Sequence, residues 1–156
     1  MPRFKTKEEA YESCSTDGYY VNLSYVNKDR VRSLIVNADT NIDSANTLAK
    51  SLSKEDRRWM TVYTLHYEAI RICAEALLIF EKIMSENHQC LFAYLCAKHP
   101  EIGFDWDFFE KIRTKRNGVN YYGEQVHYDE WKAAEPKFNI YIAALKKEIE
   151  KRLSRF

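Results

Sequence analysis

The sequence predicts an all-α fold, an antiparallel bundle of four main helices with one or two short accessory helices. Apolar residues recur at steps of three and four over long stretches, the spacing that gathers side chains on one face of a helix. The 156 residues include only four glycines and three prolines, so little punctuation interrupts those stretches. Hydrophobic residues make up 46% and charged residues 30%, a balance that supports a packed core and excludes disordered or fibrous classes. A chain of this length falls within the usual size of one domain.

Residues 1–26 hold no sustained period and read as a partly irregular lead-in, with one short helix near Lys7 to Glu12. The helical domain occupies residues 27–156. Its first helix runs from about Lys28 to Leu52, where Val31, Leu34, Ile35, Ala38, Ile42, Ala45, Leu48, Ala49 and Leu52 share a face. Ser53 with Lys54, Glu55 and Asp56 behind it reads as the N-cap and acidic first turn of a second helix. That helix, from Trp59 through Phe80 to Ile83 and Met84, is apolar nearly all round. Such a helix belongs in the centre of a bundle, or in a bundle and a dimer interface together.

Asn87 is a natural cap for a short third helix through Cys90, Leu91, Phe92, Tyr94 and Leu95, stopped by Pro100. A further segment begins at Asp105 and carries Trp106, Phe108, Phe109 and Ile112 up to a basic loop. Beyond the loop Trp131, Ala134, Phe138, Ile142, Leu145, Ile149 and Leu153 keep the helical step. The step survives Pro136, which predicts a kink there or a helix that begins just before it.

Net charge is +1, from 24 basic and 23 acidic residues, so no global field holds nucleic acid and any contact must come from a local patch. Cys14, Cys73, Cys90 and Cys96 show no CxxC spacing, and no apolar stretch approaches the roughly 18 to 20 residues that cross a bilayer. The expectation is a cytoplasmic protein with reduced thiols and no membrane contact. His88, Cys90, Cys96 and His99 do not have the intervals of a zinc site, and no cofactor fingerprint is visible. His66 reads as an interior histidine, and His127 as a surface residue near the start of the last helix.

The local patch is Lys111 to Gly123, which packs four cations into six residues, then Asn117-Gly118, then Tyr121-Tyr122. Asn-Gly favours positive φ and a turn. Arg113, Lys115 and Arg116 offer phosphate-binding donors, and Tyr121 and Tyr122 offer rings for base stacking. Cations near a helix C-terminus also complement its dipole, so a solvated helix end accounts for the same residues.

The order of segments adds a resemblance. Tyr67-Glu68-Ala69-Ile70-Arg71, Glu75-Ala76-Leu77-Leu78, His88 with Leu91 to Leu95, and Arg116-Asn117 before the final helix follow one another along the chain. From about Lys28 onward this resembles the HEPN family, the small α-helical nucleotide-binding domains of higher eukaryotes and prokaryotes, of the small prokaryotic or archaeal type. The family hallmark is an Arg, commonly followed by a polar residue, with a His four to six residues further on. Arg116-Asn117 resembles its first half, and Tyr121 stands where the histidine is expected.

The resemblance implies a homodimer that binds RNA or nucleotide, without cofactor, and that acts as the toxin-like partner of a minimal nucleotidyltransferase. It implies catalytic positions at Arg116, Asn117 and Tyr121, and binding positions at Arg113, Lys115, Arg116, Tyr121 and Tyr122. In active members the Arg and His of two subunits cleave RNA at a dimer cleft without metal. A phenol has a reference pKa of about 10, so only about one in a thousand is phenolate at pH 7 and Tyr121 is a poor proton acceptor. Binding is therefore expected over cleavage. The alternatives are a metal-independent endoribonuclease using Arg116 and a non-catalytic dimerisation or assembly domain.

Overall fold

The computed structural model describes residues 3–155, which form six α-helices, one 3-10 turn and a pair of two-residue strands. In chain order these are α1 (Lys7–Thr16), β1 (Val21–Asn22), α2 (Lys28–Ala49), α3 (Trp59–Phe80), β2 (Ile83–Met84), α4 (His88–Lys98), the turn Pro100–Ile102, α5 (Trp106–Tyr122) and α6 (Tyr128–Ser154). The fold is all-α.

Side-chain caps set several boundaries. Thr6 accepts from the Glu9 N–H, Asn27 from Arg30, Asn87 from Cys90 and Asp105 from Asp107. The last two are the starts that the sequence marks. The start of α3 is different: Ser53 caps nothing, and the helix begins at Trp59. Asp56 instead accepts from the Arg58 N–H at 2.8 Å and pairs with its guanidinium, while Trp59 Nε1 donates to the Ser53 carbonyl at 2.8 Å. The acidic residues thus hold a turn.

Helix α3 is the centre of the molecule and touches α2, α4, α5 and α6. Small residues at Ala69, Cys73, Ala74 and Ala76, all fully buried, let those neighbours approach on several sides. The apolar surface that the sequence assigns to the centre of a bundle, or to a bundle and a dimer interface together, is largely covered within the single chain. Val31, Ala38 and Ala45 form the buried line of α2, spaced two helical turns apart, and α2 lies along α3 on it. At its C-terminal end α3 stops at Phe80, earlier than the sequence predicts. Lys82 adopts φ 59°, and Ile83 and Met84 leave the helix to pair antiparallel with Asn22 and Val21. Two apolar residues fit a strand as readily as a helix, so periodicity does not separate the cases.

Aromatic stacking fixes α5 against its neighbours. Phe109 stacks on Phe92 of α4 at 4.6 Å and on Tyr141 of α6 at 5.7 Å, and Phe108 meets Phe138 edge-on at 5.4 Å. Pro136 lies inside α6, which starts at Tyr128 with a capping box between His127 and Glu130. His66 is the interior histidine expected: Nδ1–H donates to the Val62 carbonyl at 2.8 Å and the ring lies against Trp131.

The cysteines overturn the reduced-thiol expectation. Cys14 and Cys90 are joined in a disulfide with Cα atoms 5.7 Å apart, which fastens α1 of the lead-in to the first turn of α4. Cys73 and Cys96 remain as buried free thiols. A separation of 76 residues makes the pairing purely tertiary, out of reach of any spacing rule. Disulfides persist mainly in oxidising compartments, so the cysteines lend no support to a cytoplasmic location. Among the described residues no helix is long and apolar enough to cross a membrane.

Candidate phosphate-binding site

The segment expected to be a loop is helix. α5 continues through Lys111, Arg113, Lys115, Arg116 and Asn117-Gly118 to Tyr122. The positive φ falls five residues later, at Gly123 with φ 67°, where the N–H groups of Gly123 and Glu124 turn back to the Gly118 carbonyl. At Gly118 the helical backbone lies close beneath the Glu124 carboxylate, the end of a flexible side chain that can move aside for a Cβ.

A helical path divides the cations between two sides of α5. Arg113, Arg116, Asn117 and Tyr121 line a hollow of about 270 Å³, completed by Glu86, Asn87, His88 and Gln89 at the start of α4. Lys115 points elsewhere. It lines a cleft of about 790 Å³ toward α6 and pairs there with Glu130 at 3.0 Å and Glu124 at 3.8 Å. Tyr122 is 81% exposed and lines neither space, whereas Tyr121, 70% exposed, forms part of the rim of the first.

Within the hollow the arginines differ in how firmly they are held. Arg113 is buried and grips Glu110 with two bonds of 3.0 Å, so its fork is occupied. Arg71, behind it on α3, bonds Glu68 and Glu75. Arg116 lies over the Tyr67 ring at 5.6 Å, reaches Glu68 at 3.5 Å, and keeps its Nε buried without a hydrogen-bond partner among the described residues. It is the arginine with donors to spare.

His88 occupies the first position of α4, where a helix presents unpaired N–H groups and the positive end of its dipole. Its Nδ1 lies 2.9 Å from the Tyr67 hydroxyl. Burial, and then the positive charges of Arg71 and Arg116, push its pKa down to about 4, with Arg113 adding to the effect and Glu68 opposing it. The ring is neutral at pH 7. Burial pushes the Tyr67 phenol up, so it keeps its proton.

Of the residues taken from the sequence, the structure brings together Arg113, Arg116, Asn117 and Tyr121 and leaves out Lys115 and Tyr122. His127 is exposed at the start of α6, away from the hollow. Asp105 caps α5 and pairs with Lys137 at 2.6 Å. Sequence reasoning weighs His88 as a metal candidate and counts it, like Tyr67, among the segments that carry the resemblance, but gives neither a place in the binding site. The available signal was position: a histidine directly after an N-cap sits where cationic imidazole is disfavoured. No family model matches the chain, and neither a curated protein nor a solved structure matches it.

Proposed function

We propose that the hollow between the start of α4 and α5 binds the phosphates of RNA or of a nucleotide, with Arg116 as the principal contact. The observation that carries this reading is the convergence of Arg116, Asn117 and Tyr121, from about one and a half turns of α5, on one hollow beside His88 at the start of α4. Arg116 can turn its unpartnered donors to an anion at little cost, since its contact with Glu68 is long. Tyr121 at the rim, and Tyr122 beside it, offer exposed rings on which bases stack.

The resemblance to the HEPN family supports the same residues and extends the proposal to a homodimer that pairs with a small nucleotidyltransferase. Binding rather than cleavage is the activity expected, because Tyr121 stands at the family's histidine position. Fluorescence anisotropy with a short single-stranded RNA at low salt tests the site. Arg116→Ala should weaken binding at least tenfold, about 1.4 kcal/mol, and binding should fall as salt rises. Unchanged affinity in this variant would remove the hollow from the binding surface.

A further inference from the structure

His88 and Tyr67 form a pair whose hydrogen positions can be assigned. The Tyr67 side chain is fully buried, and His88 Nδ1 is the acceptor within reach of its hydroxyl among the described residues. If Nδ1 carried the hydrogen, the hydroxyl proton would be buried without an acceptor, an arrangement native cores avoid. The hydroxyl therefore donates to Nδ1. A neutral imidazole that accepts at Nδ1 carries its hydrogen on Nε2.

We propose that His88 is a neutral hydrogen-bond donor in this hollow, holding a phosphoryl oxygen through Nε2–H beside Arg116 rather than serving as a proton acceptor or as a cation. The assignment rests on the phosphate site described above. Tyr67 is a positioning residue that sets the tautomer. The charged groups around the ring are Glu68 and Arg71 from α3, Arg113 and Arg116 from α5, and Glu86 from the turn before α4. Three guanidinium groups and the N-terminal end of α4 all oppose a proton on Nδ1. A fixed donor leaves His88 unable to act as a base: with hydrogen already on Nε2, the imidazole has no lone pair to offer a ribose hydroxyl.

Two measurements on the full chain decide the matter. Long-range proton–nitrogen NMR of the free protein should show the Nε2–H tautomer of His88, and the Nδ1–H form would overturn the assignment. In anisotropy titrations with a short single-stranded RNA lacking terminal phosphates, His88→Ala should lose about tenfold. His88→Gln, whose amide N–H₂ replaces Nε2–H, should stay within about threefold of wild type. The ratio of wild-type to His88→Ala affinity should stay constant from about pH 6 to 8.5. A ratio that shrinks as pH rises, with His88→Gln as weak as His88→Ala, would instead show a cationic contact. RNA cleavage that depends on His88 would show a base. If Arg116→Ala binds as wild type, the phosphate site itself fails; if Arg116→Ala loses binding while His88→Ala does not, only the role of His88 fails.

Discussion

Helix α4 carries a histidine at each end, and their surroundings push the two rings in opposite directions. His88, at the N-terminus, faces arginines and the positive end of the helix dipole and is held neutral. His99, at the C-terminus, lies between Glu81, 2.5 Å from Nε2, and Glu101, 3.0 Å from Nδ1. The bond to Glu81 raises its pKa against the opposing effect of burial, and Glu101 adds to the rise. For Glu81 burial alone would raise the pKa, but the bonds from His99 and Tyr94 outweigh it and hold the carboxyl at about 2. One end of a single helix is thus an open site around a neutral ring, and the other a closed clamp whose carboxylates favour the protonated ring. Residue type does not assign the role; the neighbours contributed by α3 and α5 do.

The two ends are also fastened differently, covalently at Cys90 and electrostatically at His99. The largest expected effect is at the covalent end. Removing the disulfide through Cys14→Ser with Cys90→Ser should cost about 4 kcal/mol in denaturant unfolding, because it frees a loop of 76 residues in the unfolded chain. A loss below about 1 kcal/mol would show that packing alone holds α1 to α4. At the other end, Glu81→Gln should cost about 2 kcal/mol by leaving His99 and Arg152 without their shared partner.

That second cost carries a pH signature. The raised pKa of His99 contributes stability that is fully present below about pH 6.5 and is lost as pH rises through the folded value. The lowered pKa of Glu81 contributes stability that is present above about pH 4.5 and is lost as pH falls toward about 2. The stability gap between wild type and Glu81→Gln should therefore be widest between about pH 4.5 and 6.5. A gap independent of pH would mean that the clamp is packing rather than charge. The smallest effect should come from Lys115→Ala: it lines the other side of α5, so RNA affinity should change less than about twofold, even though the residue belongs to the same basic segment. A loss like that of Arg116→Ala would move the binding surface into the larger cleft.

Local chemistry was legible in the sequence. Asn87 caps where it was expected to, and the segment expected to begin at Asp105 does begin there, because a helix start depends on residues two or three positions away. The buried stripe of α2 and the central place of α3 follow from periodicity. Features set by distant partners were hidden. The disulfide joins residues from opposite sides of the first helical pair, and the Tyr67–His88 bond joins α3 to α4. At Asn117-Gly118 local turn preference lost to the packing of α5 on α4 and α6, and once the segment is helical its own period separates Lys115 from Arg116. The candidate site was legible on α5 and illegible on α4.

The continuity of α5 through Asn117-Gly118 has a consequence for the chemical lifetime of the site. Asn-Gly is the dipeptide most prone to deamidation, since an unhindered glycine nitrogen closes readily onto the asparagine carbonyl to form a succinimide. Within a helix that nitrogen is turned away and its N–H is engaged in the helical ladder. Folding therefore shields Asn117 from conversion to aspartate or isoaspartate, which would set a negative charge beside Arg116 and an extra backbone carbon into the helix. Fraying of the last turns of α5 would start a slow, irreversible clock, readable as a mass gain on the peptide that contains Asn117.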